Sequence, residues 1–216
     1  MALSKADVNN INVTAVASKA IQWNSAADGF EAGDLGGSMV LLSTLTASSS
    51  ATLSFTSSID STYDSYLFKF IDIHPATDET QFKVNFRDGS SAYDATKTTT
   101  NFNAYHNEAD GTTILGYNGS WDLAQSTDAQ PLTTNTGNDN DQSVSGELTL
   151  YNPSSTTFVK HFIANVNTSS GDDYTVNLYT AGYCNVTAAI DGVQFKMNSG
   201  NIDSGTIKMY GVGPKQ

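Results

Sequence analysis

The amino-acid sequence predicts an all-β protein: an antiparallel β-sandwich of the jelly-roll type, residues 39–216, behind a short N-terminal arm, residues 1–38. Segments in which apolar and polar residues alternate recur from residue 39 almost to the C-terminus, as in strands that bury one face. Stretches rich in Gly, Asn, Asp and Ser, which favour turns, separate these segments. No long segment with helical periodicity follows the arm, so many short strands are predicted.

Composition narrows the class further. The chain of 216 residues carries 22 acidic and 10 basic residues, for a net charge of −12, and Arg87 is its only arginine. Nucleic-acid-binding proteins usually present a basic surface, so we expect no nucleic-acid partner. No apolar run approaches the length of a membrane-spanning helix, so we expect no membrane insertion.

The arm lacks the alternation of apolar and polar residues that marks the rest of the chain. Residues 4–7 fit a short helix with a serine at its start. Trp23, Phe30 and Leu35 are large apolar residues that lie outside any strand pattern. A loose tail is the simpler interpretation, but such a tail has little reason to carry these side chains. We therefore expect the three residues to anchor the arm on a neighbouring subunit.

The first predicted strands cover residues 40–46, 52–56, 65–73 and 81–87. In the second of them, Leu53 and Phe55 share one face. Both faces of 65–73 are largely apolar, which is typical of a central strand in a sandwich. In 81–87, three apolar residues alternate with three polar ones, so one face is predicted to be buried.

The next predicted strands cover residues 99–106, 113–117, 146–151, 157–166 and 173–184. Within 157–166, Phe158 and Phe162 fall on the same face. The stretch 122–142 is rich in turn-forming residues and poor in strand formers, so it is predicted to be a long loop. An up-and-down barrel is the competing topology for this set of strands.

Residues 193–197 and 206–212 complete the predicted set. They flank a turn of Asn, Ser, Gly and Asp, and this pattern predicts a closing β-hairpin. Within it, Phe195 shares a face with Val193 and Met197, so we expect Phe195 to be a core residue.

Three stretches carry a resemblance to a known family: residues 42–60, 66–78 and 204–211. Together they resemble the β-sandwich proteins encoded by tailed bacteriophages, particularly marine phages, over roughly residues 39–213. The resemblance implies a structural or adhesion protein of the virion, such as a head decoration, fibre or tail appendage. It implies no catalytic residues.

The familiar catalytic motifs are absent from the sequence. His106 is followed closely by Glu108, but two potential ligands in one loop do not make a site. Cys184 has no basic residue near it in the sequence, so we expect it to be a buried apolar side chain. We therefore predict no enzyme activity, no catalytic residues and no cofactor.

Two groups of residues are candidates for binding. Asp139 and Asp141 could offer oxygen ligands to Ca²⁺, but their spacing matches no EF-hand, so a solvated turn is preferred and no metal site is predicted. Tyr105, Tyr117 and Trp121 lie in or near the loop-rich middle of the chain. They are candidates for stacking on a glycan, although aromatic residues in a sandwich more often belong to the core.

These observations favour a non-enzymatic virion protein of a tailed phage. We expect it to be located in the virion, to contact other virion proteins and to form a homo-oligomer, with a trimer favoured, through its arm and sheet edges. A receptor-binding module for a host-surface glycan is the alternative. A hydrolase acting on capsule polysaccharide is disfavoured, because no pair of carboxylates stands out in the sequence.

Overall fold

The computed structural model describes residues 19–23, 26, 28–34 and 39–214. The chain divides into two compact units, Met1–Ser38 and Met39–Gln216. The predicted helix at residues 4–7 and the predicted anchor Leu35 lie outside the described residues. No helix occurs within the described ranges, and hence none that is long and apolar enough to cross a membrane.

The first unit contains a β-hairpin. Strand β1 (Lys19–Trp23) pairs antiparallel with β2 (Phe30–Asp34), and Trp23 lies directly opposite Phe30. The two rings stack with their centroids 4.5 Å apart, while both side chains remain exposed. The expectation that these residues lie outside any strand was wrong. Strands of five residues without clear alternation are hard to recognise, and here an aromatic pair across the strands supports them.

The second unit consists of two antiparallel sheets. In chain order its strands are β3 (Met39–Thr46), β4 (Leu53–Phe55), β5 (Tyr63–Pro75), β6 (Phe82–Arg87), β7 (Lys97–Asn107), β8 (Thr113–Tyr117), β9 (Gln130–Pro131), β10 (Val144–Tyr151), β11 (Lys160–Ser169), β12 (Tyr174–Cys184), β13 (Gly192–Met197) and β14 (Ile202–Pro214). The large sheet has the order β3-β14-β5-β10-β11-β12-β7-β8, and the small sheet has the order β4-β13-β6-β9. The predicted all-β antiparallel sandwich is confirmed, and each segment predicted as a strand is present.

Eight of these strands have the topology of a jelly roll. In chain order, from first to eighth, they are β3, β4, β5, β6, β9, β10, β13 and β14. The large sheet holds the first, eighth, third and sixth of them side by side, and the small sheet holds the second, seventh, fourth and fifth. Successive strands therefore cross between the sheets at every step but one, so that the chain wraps around a single core. The competing up-and-down barrel is wrong.

The other four strands of this unit extend the large sheet, and we call them the inserted strands. β7 and β8 form a hairpin between β6 and β9, and β11 and β12 form a second hairpin between β10 and β13. β11 pairs with β10 and β12 pairs with β7, which joins both hairpins to one edge of the jelly roll. The large sheet is thus twice as wide as the small sheet that it faces.

The core lies between the two sheets, and Phe195 is at its centre. Its ring lies 5.1 Å from that of Phe70 and 5.6 Å from those of Phe68 and Phe82, measured between ring centroids. Phe195 is fully buried, which confirms its prediction as a core residue. Aromatic residues from both sheets therefore meet on this one strand of the small sheet, β13.

The two C-terminal strands do not form the predicted hairpin. β13 pairs with β4 and β6 in the small sheet, whereas β14 pairs with β3 and β5 in the large sheet. The intervening turn carries the chain from one sheet to the other. The alternation of apolar and polar residues identified the buried face of each strand correctly. It does not tell whether two such strands pair edge to edge in one sheet or face each other from two sheets, because the alternation is the same in both cases.

The stretch 122–142 is largely the long loop that its composition predicts, but part of it is buried. It contains β9, and Leu132, Thr133 and Thr136 within it are fully buried. Its polar residues replace missing sheet partners: Thr133 Oγ1 accepts the Phe82 amide at 2.8 Å. A segment rich in Thr, Asn and Gln can therefore be buried when its own side chains satisfy the backbone.

Phe158 does not share the buried face of β11 as predicted. It lies in the turn before that strand and is 69% exposed, whereas Phe162 is fully buried. Ser155 Oγ accepts the amides of Thr157 and Phe158 and so holds the turn, which delays the start of the strand.

Candidate functional site

The inserted strands present a surface without charged residues. Strand alternation places one set of their side chains on the outer face, by which we mean the side of the large sheet that points away from the small sheet. On the inserted strands this face consists of His161, Ile163, Asn165, Asn167, Ser169, Thr175, Asn177, Tyr179, Ala181, Tyr183, Thr98, Thr100, Phe102, Ala104, His106, Thr113, Leu115 and Tyr117. The set includes no Asp, Glu, Lys or Arg, although the chain as a whole carries 32 such residues, 22 acidic and 10 basic.

Several of these side chains are large, apolar and accessible. Leu115 is 75% exposed, Ile163 is 51% exposed and Phe102 is 46% exposed. The ring of Phe102 stacks on Tyr179 of the neighbouring strand with their centroids 4.9 Å apart. An apolar cluster of this kind on a sheet face is a feature of surfaces that become covered by another molecule.

The outer face of the jelly-roll half carries more polar character. Lys208, Lys69 and Glu147 lie in one cross-strand row. The Lys69 ammonium lies 3.8 Å from the Glu147 carboxylate, and both side chains are about half exposed, so the pair contributes little to stability. The large sheet therefore carries charged residues on the outer face of its jelly-roll half, and the outer face without charges is confined to the inserted half.

A cavity lies on the opposite, inner side of the inserted strands, where residues 118–137 cover them. We call it the tryptophan cavity; it has a volume of about 270 Å³, and it is lined by Asn103, Tyr105, Trp121, Thr134, Asn135, Ser170, Asp172, Tyr174 and Val176. The rings of Tyr105 and Tyr174 meet edge to face, 5.4 Å apart at an interplanar angle of 82°. Val176 lies opposite Tyr105 in the pairing of β12 with β7, so the sheet itself sets this side of the cavity.

Buried hydrogen bonds hold Trp121 at the cavity. Its amide donates to the Asn118 carbonyl at 3.2 Å, which forms a tight turn. Its carbonyl accepts Nε2 of the buried Gln130 at 2.8 Å. Gln130 Oε1 in turn accepts the Thr99 hydroxyl at 2.6 Å, which ties the loop to β7. These contacts hold the backbone of Trp121 in place, so the residue is positioned at the cavity before any ligand arrives.

The three predicted glycan contacts do not all meet. Tyr105 and Trp121 line the same cavity. Tyr117 lies opposite Phe102 and therefore on the outer face, where its hydroxyl donates to the Asp122 carboxylate. That hydrogen bond raises the pKa of Tyr117. Sequence reasoning missed Tyr174, because only the pairing of β12 with β7 brings it to Tyr105, and no local motif indicates it.

A more polar cleft lies on the other side of Trp121. It has a volume of about 470 Å³, and its lining includes Lys83, Lys196, Asp122 and Asp128. Burial, followed by the neighbouring charge of Lys196, lowers the pKa of Lys83. Lys83 and Lys196 are direct cross-strand partners, so they form a small basic pair on a strongly acidic protein.

Cys184 is fully buried, which confirms its prediction as a buried side chain, but the fold brings two basic residues to it that are distant in the sequence. Strand pairing places Lys160 and Lys97 on either side of it. Both lysines are buried, and their ammonium groups donate to the carbonyls of Val186 and Asp128, each at 2.7 Å. Burial still raises the pKa of the Cys184 thiol to about 12, so it remains a protonated and unreactive group.

The histidines and the Asp-rich loop are explained by local structure. His106 Nε2 lies 3.1 Å from the Asp110 carboxylate in an exposed turn. Asp139 and Asp141 are exposed as expected, whereas Gln142 beside them is buried and donates to the Ser170 carbonyl at 3.1 Å. Within the described ranges, no three His, Cys, Asp or Glu residues are grouped so as to hold a metal ion.

No protein-family model, curated protein or solved structure matches this chain.

Proposed function

We propose that the chain is a non-enzymatic structural protein of a tailed-phage virion that associates with further copies of itself. The outer face of the inserted strands and the hairpin of the arm are its contact surfaces. The jelly-roll topology supports this role, since the architecture recurs in viral capsid and lectin domains. The sequence resemblance to phage β-sandwich proteins points in the same direction.

The uncharged outer face is the observation that carries the proposal. Copies with a net charge of −12 repel one another, so they can associate closely only where charges are few. The inserted strands provide that surface, because their outer face includes no Asp, Glu, Lys or Arg. Packing it against a second copy buries Phe102, Ile163 and Leu115, none of which carries a charge.

The size of this outer face fits a specific interface. β7, β11 and β12 are 10 or 11 residues long and β8 is five residues long. At about 3.4 Å per residue and about 4.8 Å between strands, the outer face of the inserted strands covers roughly 600 Å². A standard protein interface buries about 800 Å² on each partner, so this face supplies most of one specific contact. The edge strand β8 offers a further site for strand pairing in a homo-oligomer such as a trimer.

The arm supplies a second contact. A two-stranded hairpin is marginally stable by itself, and this one exposes Ile21, Trp23 and Phe30. Burying these side chains on a neighbouring subunit or another virion protein would stabilise both the hairpin and the particle. The arm anchors the subunit, and the outer face sets its contact with the next copy.

Sedimentation-velocity ultracentrifugation of the full-length protein tests the proposal. We expect a homo-oligomer built from 22.9 kDa subunits. Phe102→Lys combined with Ile163→Lys should dissociate it into folded monomers, because four or more charges per contact would have to be desolvated. Phe158→Lys, an exposed position off the sheet face, should leave the oligomer intact. A monomeric wild-type protein, or an unchanged double variant, would contradict the proposal.

Mass spectrometry of purified particles of the phage that encodes the chain tests its location. The protein should copurify with the virion at fixed stoichiometry. Trp23→Ser combined with Phe30→Ser should lower that stoichiometry while leaving the β domain folded. Presence of the chain only in the infected-cell lysate would refute a virion location.

A further inference from the structure

We propose that the tryptophan cavity binds a single ring of a neutral sugar. This inference goes beyond assembly, because the cavity lies on the inner side of the inserted strands and assembly uses their outer face. The two functions can therefore fail independently. The ligand class follows from the aromatic walls, the polar groups among them, the charge and the size of the cavity.

The aromatic walls suit a sugar ring. Trp121, Tyr105 and Tyr174 all line the cavity, and all three are partly exposed rather than packed into the core. The C–H groups on one face of a pyranose are weakly positive and apolar, and they pack on the electron-rich face of an aromatic ring. The edge-to-face pair of Tyr105 and Tyr174 fixes the orientation of two of these rings before any ligand arrives.

Amide and hydroxyl groups stand among the rings. Asn103, Thr134 and Asn135 each offer a donor and an acceptor, which is what vicinal sugar hydroxyls require. Asn103 is only 6% exposed, so a hydrogen bond made to it is shielded from water. A mostly apolar cavity with a few placed polar groups is the usual construction of a small-molecule site.

The inner side of the inserted strands continues this polar surface. Asn101 and Thr180 are cross-strand partners, one row along from Asn103. The Asn101 amide nitrogen and oxygen and the Thr180 hydroxyl are buried, and none has a hydrogen-bond partner among the described residues. Buried polar groups without partners are uncommon and costly in a domain that is otherwise well packed. Their clustering beside the cavity marks this side of the strands as adapted for polar contacts rather than for core packing.

The charge of the cavity excludes anionic ligands. Asp172 is the one residue of the lining with a formal charge, and no lysine or arginine is present in it. A phosphate, sulfate or sialic acid would meet one carboxylate, no counter-charge and a net charge of −12 on the chain. A neutral hexose or N-acetylhexosamine meets no such penalty, and the Asp172 carboxylate can accept hydrogen bonds from its hydroxyls.

The volume fits one ring. Cavities for drug-sized ligands measure about 300–1,000 Å³, and 270 Å³ lies just below that range. A terminal residue of a glycan chain would enter, while the rest of the chain would extend past Trp121 toward the polar cleft beyond it.

The two tryptophans of the chain make a direct test available. Trp23→Phe leaves Trp121 as the single tryptophan of the full-length protein, so its fluorescence reports on the cavity alone. The probes are the methyl glycosides of glucose, galactose, mannose and N-acetylglucosamine, with glucose 6-phosphate and N-acetylneuraminic acid as anionic counterparts. We expect a saturable change with at least one neutral glycoside, at a Kd of about 1 mM or below. The anionic probes should bind at least tenfold more weakly.

Matched variants locate the binding. Tyr174→Ala and Asn103→Ala should each weaken binding at least tenfold, whereas Tyr174→Phe, which keeps the ring, should bind within about threefold of the parent. Tyr117→Ala on the outer face should not change the affinity. Circular dichroism and sedimentation of each variant establish that fold and assembly persist, so loss of sugar binding is separable from loss of the proposed assembly. The proposal is overturned if no neutral glycoside gives a saturable signal, if anionic probes bind as tightly, or if Tyr174→Ala binds like the parent.

Discussion

The two halves of the large sheet bury different kinds of side chain. In the jelly-roll half, the inner face presents Phe68, Phe70 and Met209 to the small sheet, and all three are buried in the core. In the inserted half, the inner face mixes core residues such as Phe162 and Val166 with the buried amides Asn101 and Asn103. On the outer faces the more polar half is the jelly-roll half. It carries the row of Lys208, Lys69 and Glu147, whereas the outer face of the inserted half has no charged residue.

This difference suggests that the jelly-roll half mainly stabilises the fold and that the inserted half mainly serves binding. Burial of apolar surface drives folding, and the jelly-roll half buries most of it. Polar groups on the inner side of the inserted strands contribute less, since each must first be compensated by a hydrogen bond. The inserted strands add Phe162, Ala164 and Val166 to the core, but they also present an aromatic cavity on one side and an apolar face on the other, and this suits them to binding.

The largest effect is expected in the centre of the jelly-roll half. Phe195→Ala should lower the free energy of unfolding by about 3–5 kcal/mol, because it leaves a cavity among the rings of Phe68, Phe70 and Phe82. Urea denaturation measures the change, with Phe158→Ala as the exposed control. A loss below about 1 kcal/mol for Phe195→Ala would mean that the core is not centred on β13.

A smaller effect is expected in the inserted half. Gln130→Ala should cost about 1–3 kcal/mol, because it leaves the Thr99 hydroxyl and the Trp121 carbonyl without their partner. The same denaturation measurement applies, and Thr113→Ala on the exposed edge strand β8 is the control. If both variants are equally stable, Gln130 does not fasten the loop to β7.

Alkaline pH should act on the inserted half, which holds both Lys97 and Cys184. Burial lowers the pKa of Lys97 to about 8 from its ordinary 10.5. Between pH 8 and 9 the folded state releases a proton from Lys97 that the unfolded chain retains, which by itself raises the free energy of unfolding by about 1 kcal/mol. The buried Cys184, with its pKa raised from 9.0 to about 12, acts in the opposite direction over the same range and more strongly above pH 9, because the unfolded thiol ionises first.

Urea denaturation across this pH range checks the expectation. Lys97→Met should abolish the rise between pH 8 and 9, and Cys184→Ala should lessen the fall at higher pH. A stability that stays flat or falls between pH 8 and 9 in Cys184→Ala, where the opposing thiol is absent, would show that Lys97 keeps its proton in the fold.

The smallest effect concerns the Asp-rich loop, where we expect none. The thermal midpoint should be the same with a chelator and with saturating Ca²⁺, because Asp139 and Asp141 are solvated turn residues. A Ca²⁺-dependent rise in the midpoint that disappears in Asp139→Asn with Asp141→Asn would instead make the loop a cation site.

Alternation along the sequence was sufficient to find strands but not their partners. The buried faces around Leu53, Phe82 and Phe195 followed from a period of two, which is a local property. The pairing of β14 with β5 joins residues far apart in the chain, and no local pattern specifies it. The jelly-roll class was therefore predictable. It was not predictable that the last two strands, β13 and β14, belong to different sheets and do not form a hairpin.

The candidate site was predictable only in part. Trp121 stood out because it follows turn residues, and it does line a cavity. Tyr105 and Tyr117 looked equivalent in the sequence, but Tyr117 pairs with Phe102, which is three residues from Tyr105 on β7. An odd separation places the two tyrosines on opposite faces of the sheet. Gln130 gave no signal at all, since a buried glutamine between Ala and Pro looks like any polar loop residue until its partners are known.

Electron cryomicroscopy of the assembled protein, in solution or in the intact particle, tests the central claim most directly. The account predicts that the outer face of the inserted strands, with Phe102, Ile163 and Leu115, packs against another copy of the chain. The tryptophan cavity should remain open to solvent in the same map. An assembly in which that outer face is exposed to solvent, and the contacts form elsewhere, would contradict the account.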